Sequence, residues 1–144
     1  MNRINITLIL LVFLSLPVYA KDPCANSEYW GAQRDCIQVE YKKIDKELNR
    51  QYKILKKKIH STYVNSGELN SVNPISIERK LVKAQRAWVK FRDTECEFVF
   101  DRSAGGTGTL AGYMHFLCLW NLTENRTKDF KRYMKEMDDY KKKY

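Results

Sequence analysis

The chain has 144 residues, a hydrophobic fraction of 44% and a formal net charge of +9, which comes from 26 basic and 17 acidic side chains. This length argues against several domains, and this hydrophobic fraction is enough to build one packed core. The excess of positive charge favours acidic partners and anionic surfaces over basic ones.

The first 20 residues have the pattern of a secretory signal peptide. Arg3 precedes the apolar run "ITLILLVFLSL", and the small-residue ending "VYA" comes directly before Lys21, an order typical of a cleaved leader. A retained anchor is the alternative, but the run is shorter than the roughly 20 residues that span a bilayer. We therefore expect cleavage near Ala20 and a single periplasmic or secreted domain over residues 21–144, without a transmembrane segment. Loss of Arg3 leaves 25 basic and 17 acidic residues, a net charge of +8.

The cysteines that follow the leader are Cys24, Cys36, Cys96 and Cys118. An even number of cysteines behind a signal peptide favours disulfides. Metal binding is the alternative, but the chain has no CxxC motif, and His60 and His115 lie far from any cysteine in sequence. Three ways of pairing the cysteines are open on this count alone, and each gives two disulfides.

The first predicted helix covers residues 33–64. Its apolar residues recur every three or four positions over many turns, and no Gly or Pro interrupts them. This is the periodicity of an amphipathic helix. The apolar positions are Ile37, Tyr41, Ile44, Leu48, Tyr52, Leu55 and Ile59.

Basic side chains cover the opposite face of this helix. Residues 42–58 contain eight basic and two acidic side chains, a net charge of +6. Such a stripe is a candidate contact for anionic lipid, lipopolysaccharide or wall polymer, and the alternative is that it only solvates the helix. Nucleic acid is a less suitable partner because the chain carries an export signal. The basic residues of this face are Lys42, Lys43, Lys46, Arg50, Lys53, Lys56, Lys57 and Lys58.

The second predicted helix covers residues 75–101 and follows the turn-forming stretch "NSGELNSVNP". Asn73 with Pro74, or Ser76, is expected to cap its first turn. One apolar stripe of this helix is Ile77, Leu81, Ala84, Trp88, Phe91 and Phe98. A second, partly polar stripe is Leu81, Gln85, Trp88, Arg92, Cys96 and Val99. We expect this helix to pack over a broad arc with polar residues at one edge of it.

The third predicted helix covers residues 110–138, after the glycine-rich loop "DRSAGGTGT". No segment of the chain shows the period-2 alternation of a strand. The sequence therefore predicts an all-α fold, an antiparallel bundle of three long helices stapled by two disulfides. The packed positions of the third helix are Phe116, Trp120, Thr123, Thr127, Phe130, Met134 and Met137.

The position of the glycine loop predicts how the cysteines pair. Residue 107, inside the loop, is midway between Cys96 and Cys118, and two helices that fold back at the loop bring equidistant residues side by side. A disulfide needs Cα atoms within about 7 Å, which such a hairpin provides. Cys24 and Cys36 then pair by exclusion and tie the N-terminal arm to the first helix.

We find no catalytic constellation in the sequence. His60 and His115 have no nearby serine or free cysteine in a recognisable motif. Asp93 and Glu95 are too close along a helix to face each other, and "GGTG" lacks the Lys-Ser/Thr ending and the preceding strand of a phosphate loop. We therefore expect a protein that is not an enzyme and that has no cofactor or metal.

Arg92 is expected to be at least half-buried, because it shares the packed edge of the second helix with Trp88. A buried guanidinium needs a carboxylate and further hydrogen-bond partners. Asp45 and Asn49 lie four residues apart beside the apolar stripe of the first helix. We predict that Arg92 pairs with Asp45, and that Gln85 and Asn49 join the same network.

The motifs of the chain, taken in order, resemble those of the lysozyme inhibitor LprI-like family of small exported bacterial proteins. The matching features are Cys24 and Cys36, "DKELNRQY" (45–52), "AQRAWVKFRDTEC" (84–96), "GGTG" (105–108), Cys118, Thr123 and Arg126. The resemblance implies an all-helical, disulfide-bonded exported domain. It also implies an activity, which is to bind and block a lysozyme or another enzyme that degrades the cell wall.

The motif residues are the candidate functional positions, and both a structural and a binding role are open for them. Loops carry binding contacts more often than scaffolds do, so the loops at 65–74 and 103–109 are the candidate contacts with a partner protein. The motif residues are Asp45, Leu48, Asn49, Tyr52, Gln85, Arg86, Trp88, Arg92, Asp93, Gly105 and Gly106.

Overall fold

The computed structural model describes residues 22–64 and 73–143. It contains three long helices, α1 (Trp30–Val64), α2 (Pro74–Arg102) and α3 (Gly108–Lys143). A single turn of 3-10 helix, Ala104–Gly106, joins α2 to α3, and the described residues form no strand. The predicted all-α fold is confirmed, with each helix a few residues longer than the sequence indicated. The expected signal peptide and most of the 65–74 loop lie outside the described residues.

Helices α1 and α3 run parallel, and α2 runs antiparallel to both. Tyr41 of α1 packs on Phe116 of α3, and further along both helices Tyr52 packs on Phe130, with ring centroids 6.3 and 5.9 Å apart. The short turn after α2 reverses the chain direction, so consecutive helices alternate as the sequence predicts. None of the described helices has an apolar stretch long enough to cross a bilayer.

Two apolar clusters follow each other along the interface between α1 and α3. The predicted α1 stripe enters the first cluster up to Ile44 and the second cluster from Leu48 onwards, which confirms the packed face of that helix. Burial of each large apolar side chain contributes about 1.5–3 kcal/mol to folding. The first cluster is built on buried Cys24, Ile37, Tyr113 and Trp120. The second is built on buried Leu48, Leu55, Ile59 and Phe130.

The glycines of the turn after α2 adopt a conformation that other residues disfavour. Gly105 and Gly106 have φ angles of +68° and +70°, a region that L side chains rarely occupy without cost. The tight turn brings the Cα atoms of Cys96 and Cys118 to 5.5 Å, and the two cysteines form a disulfide. Cys24 and Cys36 form the second disulfide, with Cα atoms 5.9 Å apart. Both predicted pairings are confirmed.

The packed face of α2 is narrower than the sequence predicted. The residues it buries are Arg92, Cys96 and Val99, which belong to the partly polar stripe. Phe91 and Phe98, assigned to the apolar stripe, are 53% and 58% exposed, so that assignment is wrong for them. The reason is that α2 lies to one side of the α1–α3 pair, and no described helix covers its outer side.

Candidate functional site

Arg92 is the centre of a buried polar layer between the two apolar clusters. Its side chain is only 9% exposed. The Nη1 nitrogen donates to Asp45 Oδ1 at 3.0 Å and to the Thr123 hydroxyl at 3.4 Å. The Nε and Nη2 nitrogens donate to Asp93 Oδ1 at 2.9 and 2.8 Å. The structure therefore contains the predicted pair of Arg92 with Asp45, and it adds Asp93 as a second carboxylate that the sequence analysis did not assign to Arg92.

The surroundings of Arg92 keep it charged. Burial lowers the pKa of Arg92, but the hydrogen bond to Asp93 and the neighbouring Tyr41 and Asp45 outweigh burial and hold the pKa above its ordinary value. Burial also raises the pKa of Tyr41, whose ring centroid lies 5.7 Å from the guanidinium carbon of Arg92. At neutral pH Arg92 is thus a cation and Tyr41 a neutral phenol. Neither group is poised to exchange a proton near pH 7.

A second arginine, Arg126 of α3, shares the indole of Trp88 with Arg92. The two guanidinium carbons lie 5.8 and 5.3 Å from the Trp88 ring centroid, within the range of cation–π attraction. Arg126 Nε donates to Gln85 Oε1 at 3.2 Å. The prediction that Gln85 joins the network of Arg92 and Asp45 is therefore wrong. Gln85 lies seven residues before Arg92, about 10 Å along the helix axis, and it meets Arg126 instead.

Asn49 supports the Asp45 side of the network, as predicted. Its Nδ2 nitrogen donates to the backbone oxygen of Asp45 at 2.9 Å and to Asp45 Oδ2 at 3.2 Å. The Asp45 side chain is 36% exposed, so water also reaches this carboxylate. The buried layer is consequently open to solvent at its acidic edge.

The other motif residues lie in the core, on the surface and in the turn. Leu48 is buried in the second cluster, and Tyr52 packs against that cluster. Arg86 is exposed and lines a shallow groove together with Tyr52. Gly105 and Gly106 form the turn between α2 and α3. These positions favour a structural role for most of the motif residues, because few of them face outwards.

The basic face of α1 points outwards, but acidic neighbours neutralise part of it. Lys43, Arg50 and Lys56 form ion pairs with glutamates at 2.6–2.8 Å. Lys58 pairs with Asp138 of α3. The lysines of this face without an acidic partner among the described residues are Lys42, Lys46, Lys53 and Lys57.

The two histidines of the described region are not placed for catalysis. His115 Nδ1 lies 3.0 Å from the Cys96 carbonyl oxygen, and the His115 ring packs edge-on against Phe100 and Phe116. His60 is exposed, 3.8 Å from a Glu78 oxygen. Within residues 22–64 and 73–143 no three His, Cys, Asp or Glu side chains are grouped so that they could hold a metal ion.

The outer side of α2 presents an aromatic and acidic surface that the sequence analysis missed. Glu95, Glu97 and Asp101 are exposed beside Phe91 and Phe98, and these acids form no hydrogen bond or ion pair with the rest of the described structure. They spread around the outward half of α2: Phe91, Glu95 and Phe98 line one groove, and Glu97 and Asp101 lie towards α3. We call these five residues together the acidic aromatic face. The signal for it was in the sequence, since residues 93–101 contain four acidic side chains and no Lys or Arg.

Comparison with known proteins identifies the family. The family model described as lysozyme inhibitor LprI matches residues 24–130, a region that contains both disulfides, the Arg92 layer and the acidic aromatic face. The chain is also 29% identical, over 133 residues, to the uncharacterized protein R02472 of Rhizobium meliloti (strain 1021), an alignment that covers 90% of this chain and 94% of the other. No solved structure is similar enough to match. The chain therefore belongs to the lysozyme inhibitor LprI family.

Proposed function

We propose that the protein is exported and that it binds and inhibits a lysozyme or another enzyme that degrades the cell wall. The observation that carries this proposal is the family match over residues 24–130, which spans both disulfides and most of the helical bundle. Export is supported by the leader-like N-terminal sequence and by the two disulfides, because disulfides persist in oxidising compartments.

In this proposal the protein inhibits its target by binding alone and catalyses no reaction. In the described region the cysteines are all in disulfides, and Arg92 is paired with two carboxylates. Neither histidine ring there forms a hydrogen bond with a Ser, Thr or Cys side chain. These features lack the pairing of nucleophile and base that covalent catalysis requires. A rigid bundle with exposed surfaces suits an inhibitor that covers its target.

Net charge influences which enzyme the protein meets. A mature chain of +8 slows encounter with another basic protein and favours an acidic one. Contacts at the interface itself are governed by nearby charges, since charges more than about 10 Å apart are largely screened at 0.1 M salt. The charges on the docking surface therefore influence the affinity more than the net charge of the chain does.

A turbidity assay on isolated cell walls tests the proposal. The purified oxidised protein is titrated against several lysozymes and other wall hydrolases of differing charge, with an unrelated basic protein of similar size as the control. We expect the lysis rate of at least one enzyme to fall as the protein is added, and to stay unchanged with the control. Unaltered lysis rates across the whole panel would contradict the proposal.

A second candidate function, contact with an anionic envelope surface, is favoured by the four unpaired lysines of α1. Lys46, Lys53 and Lys57 recur at helical spacing and so lie on one side of the helix, where they can meet lipid headgroups or wall polymer. Sedimentation with anionic vesicles tests this. The K46Q/K53Q/K57Q variant should lose binding, whereas K80Q/K83Q/K135Q, which removes equal charge from exposed lysines elsewhere, should retain most of it. If both variants lost the same amount of vesicle binding, the binding would depend on net charge and not on this group of lysines.

A further inference from the structure

We infer that the acidic aromatic face of α2 is the surface that binds the inhibited enzyme, and that it receives a Lys- or Arg-bearing part of that enzyme. This inference rests on the proposed function and deepens it by naming the surface and the chemistry of the partner. It assigns the contact to a helix face, whereas the sequence favours the loops at 65–74 and 103–109.

The aromatic part of this face forms a shallow groove. Phe91 and Phe98 are two turns apart on α2 and line a hollow of about 440 Å³ together with Glu95 and Lys90. Exposed aromatic rings of this size bury much apolar area when a partner covers them, and aromatic residues are enriched at the centres of protein interfaces. Both rings are more than half exposed, so the fold of the single chain does not use them fully.

A second hollow lies between α2 and α3. It has a volume of about 520 Å³ and is lined by Glu97 and Asp101 together with Phe100, His115 and Phe116. Two carboxylates beside aromatic rings suit a guanidinium or ammonium group, because the carboxylates pair with the charge while the rings contact the alkyl stem or the cation.

One contact within the chain places a guanidinium group on this face. The carbon of the Arg102 guanidinium lies 5.8 Å from the centre of the Phe98 ring. An arginine of a partner would make the same kind of contact with the neighbouring Phe91, which has no such cation above it among the described residues.

The three acids of this face form no ion pair with the described residues, in a chain rich in cations. Elsewhere Glu40, Glu47 and Glu78 each have an ion-pair partner within 3 Å. Glu95, Glu97 and Asp101 have none among the described residues. Unpaired carboxylates next to exposed aromatic rings gain more from an external cation than carboxylates that already pair within the fold.

Other occupants fit this face less well. A second copy of the chain would bring the same carboxylates together, and like charges across an interface weaken association. An anionic membrane or wall polymer would be repelled by the acids as well. A basic protein surface matches both the charge and the aromatic character of the face.

Matched charge variants test the inference. The first is E97Q/D101N, in the acidic aromatic face. The second is E28Q/D139N, which removes two exposed acids that form no hydrogen bond or ion pair with other described residues and lie outside that face. Both variants raise the net charge by the same amount, so long-range repulsion changes equally. Both should keep the wild-type melting temperature, because none of the four acids stabilises the fold through a partner.

The readout is the Kd for the wall-degrading enzyme that the wild type inhibits most strongly in the turbidity panel. We expect E97Q/D101N to raise this Kd by about tenfold and E28Q/D139N to change it much less. The difference should shrink as salt rises from about 0.1 to about 1 M. F91A should also weaken binding, with the salt dependence retained.

Three outcomes would overturn the inference. Equal Kd values for the two charge variants would exclude the acidic aromatic face as the binding surface, while the proposed function would still stand. A difference between the two charge variants that stays the same from about 0.1 to about 1 M salt would exclude this surface too. A wild type that inhibits nothing in the panel would overturn the proposed function, and this inference with it.

Discussion

At the scale of single residues, Arg92 is the charged side chain that the described part of the fold buries. It is buried, and its charge is compensated by Asp45 on one side and Asp93 on the other. Removing one partner from a fully buried pair costs about 3–5 kcal/mol. The loss should be smaller here, because Asp45 is partly exposed and Asp93 stays in place.

We therefore predict that D45A lowers the free energy of unfolding by about 1–2 kcal/mol. The control is D35A, which removes a carboxylate from the exposed pair of Arg34 and Asp35 and should change stability by less than about 1 kcal/mol. Chemical denaturation of both variants measures the difference. A D45A protein as stable as D35A would show that the pair does not hold the layer together.

Glu47 gives the fold a predictable dependence on acid. Hydrogen bonds from Arg50 and Gln51 lower the pKa of Glu47 from 4.5 to about 2. A carboxyl group with a lowered pKa in the folded state contributes stability above its ordinary pKa and loses it as the pH falls towards the folded value. We expect the free energy of unfolding to decrease between pH 4.5 and about 2.

The E47Q variant should reduce this acid-dependent slope. It removes the titrating group, so less stability is lost on acidification, although Glu78 and Asp138, whose pKa values are also lowered by lysine partners, keep part of the slope. The control variant is E28Q, which removes a carboxyl that has no hydrogen bond or ion pair among the described residues. Parallel slopes for wild type and E47Q would contradict the assignment.

At the scale of secondary-structure elements, the start of α2 depends on one side chain. Asn73 Oδ1 accepts a hydrogen bond from the Ile75 backbone N–H at 2.9 Å, and Pro74 occupies the first helical position. N-cap side chains of this kind contribute about 1 kcal/mol. N73A should lose about that much stability in thermal unfolding, and S76A, at the other candidate cap, should lose little. Equal losses of stability in N73A and S76A would contradict the assignment of Asn73 as the N-cap.

The disulfide between α2 and α3 should stabilise the hairpin substantially. In the chain-entropy model, closure of a loop of this length contributes about 3 kcal/mol. C96A/C118A should therefore unfold at a clearly lower denaturant concentration than the wild type, with the turn glycines unchanged. A loss below about 1 kcal/mol would mean that the packing of the two helices alone holds the hairpin.

The elements themselves were predictable from sequence, whereas their rotation about their own axes was not. The steps of three and four residues in α1 identify both the helix and its buried face, and the cysteine positions about the glycine loop identify the hairpin. Phe91 and Gln85 show the limit. An apolar residue at helical spacing is compatible with burial or exposure, and a polar residue at the packed edge can face either of two neighbouring arginines. Only the packing of α2 to one side of α1 and α3 decides between them.

At the scale of the whole molecule, a net basic protein carries a local acidic surface on one helix and a lysine surface on another. The two disulfides and the buried Arg92 layer fix the relative positions of these surfaces. We expect such a molecule to bind as a rigid body, with little change in its backbone structure on binding. Inhibition should then need one intact, oxidised protein for each enzyme molecule.

The most direct test of the account is a titration of the inhibited enzyme with the oxidised protein, followed by mass spectrometry of both components after dissociation. We predict a saturable stoichiometric complex, complete inhibition at saturation, and recovery of both chains with unchanged mass. Inhibition by far less than one equivalent, or a covalent change in the enzyme or in the cell wall caused by this chain alone, would contradict the account.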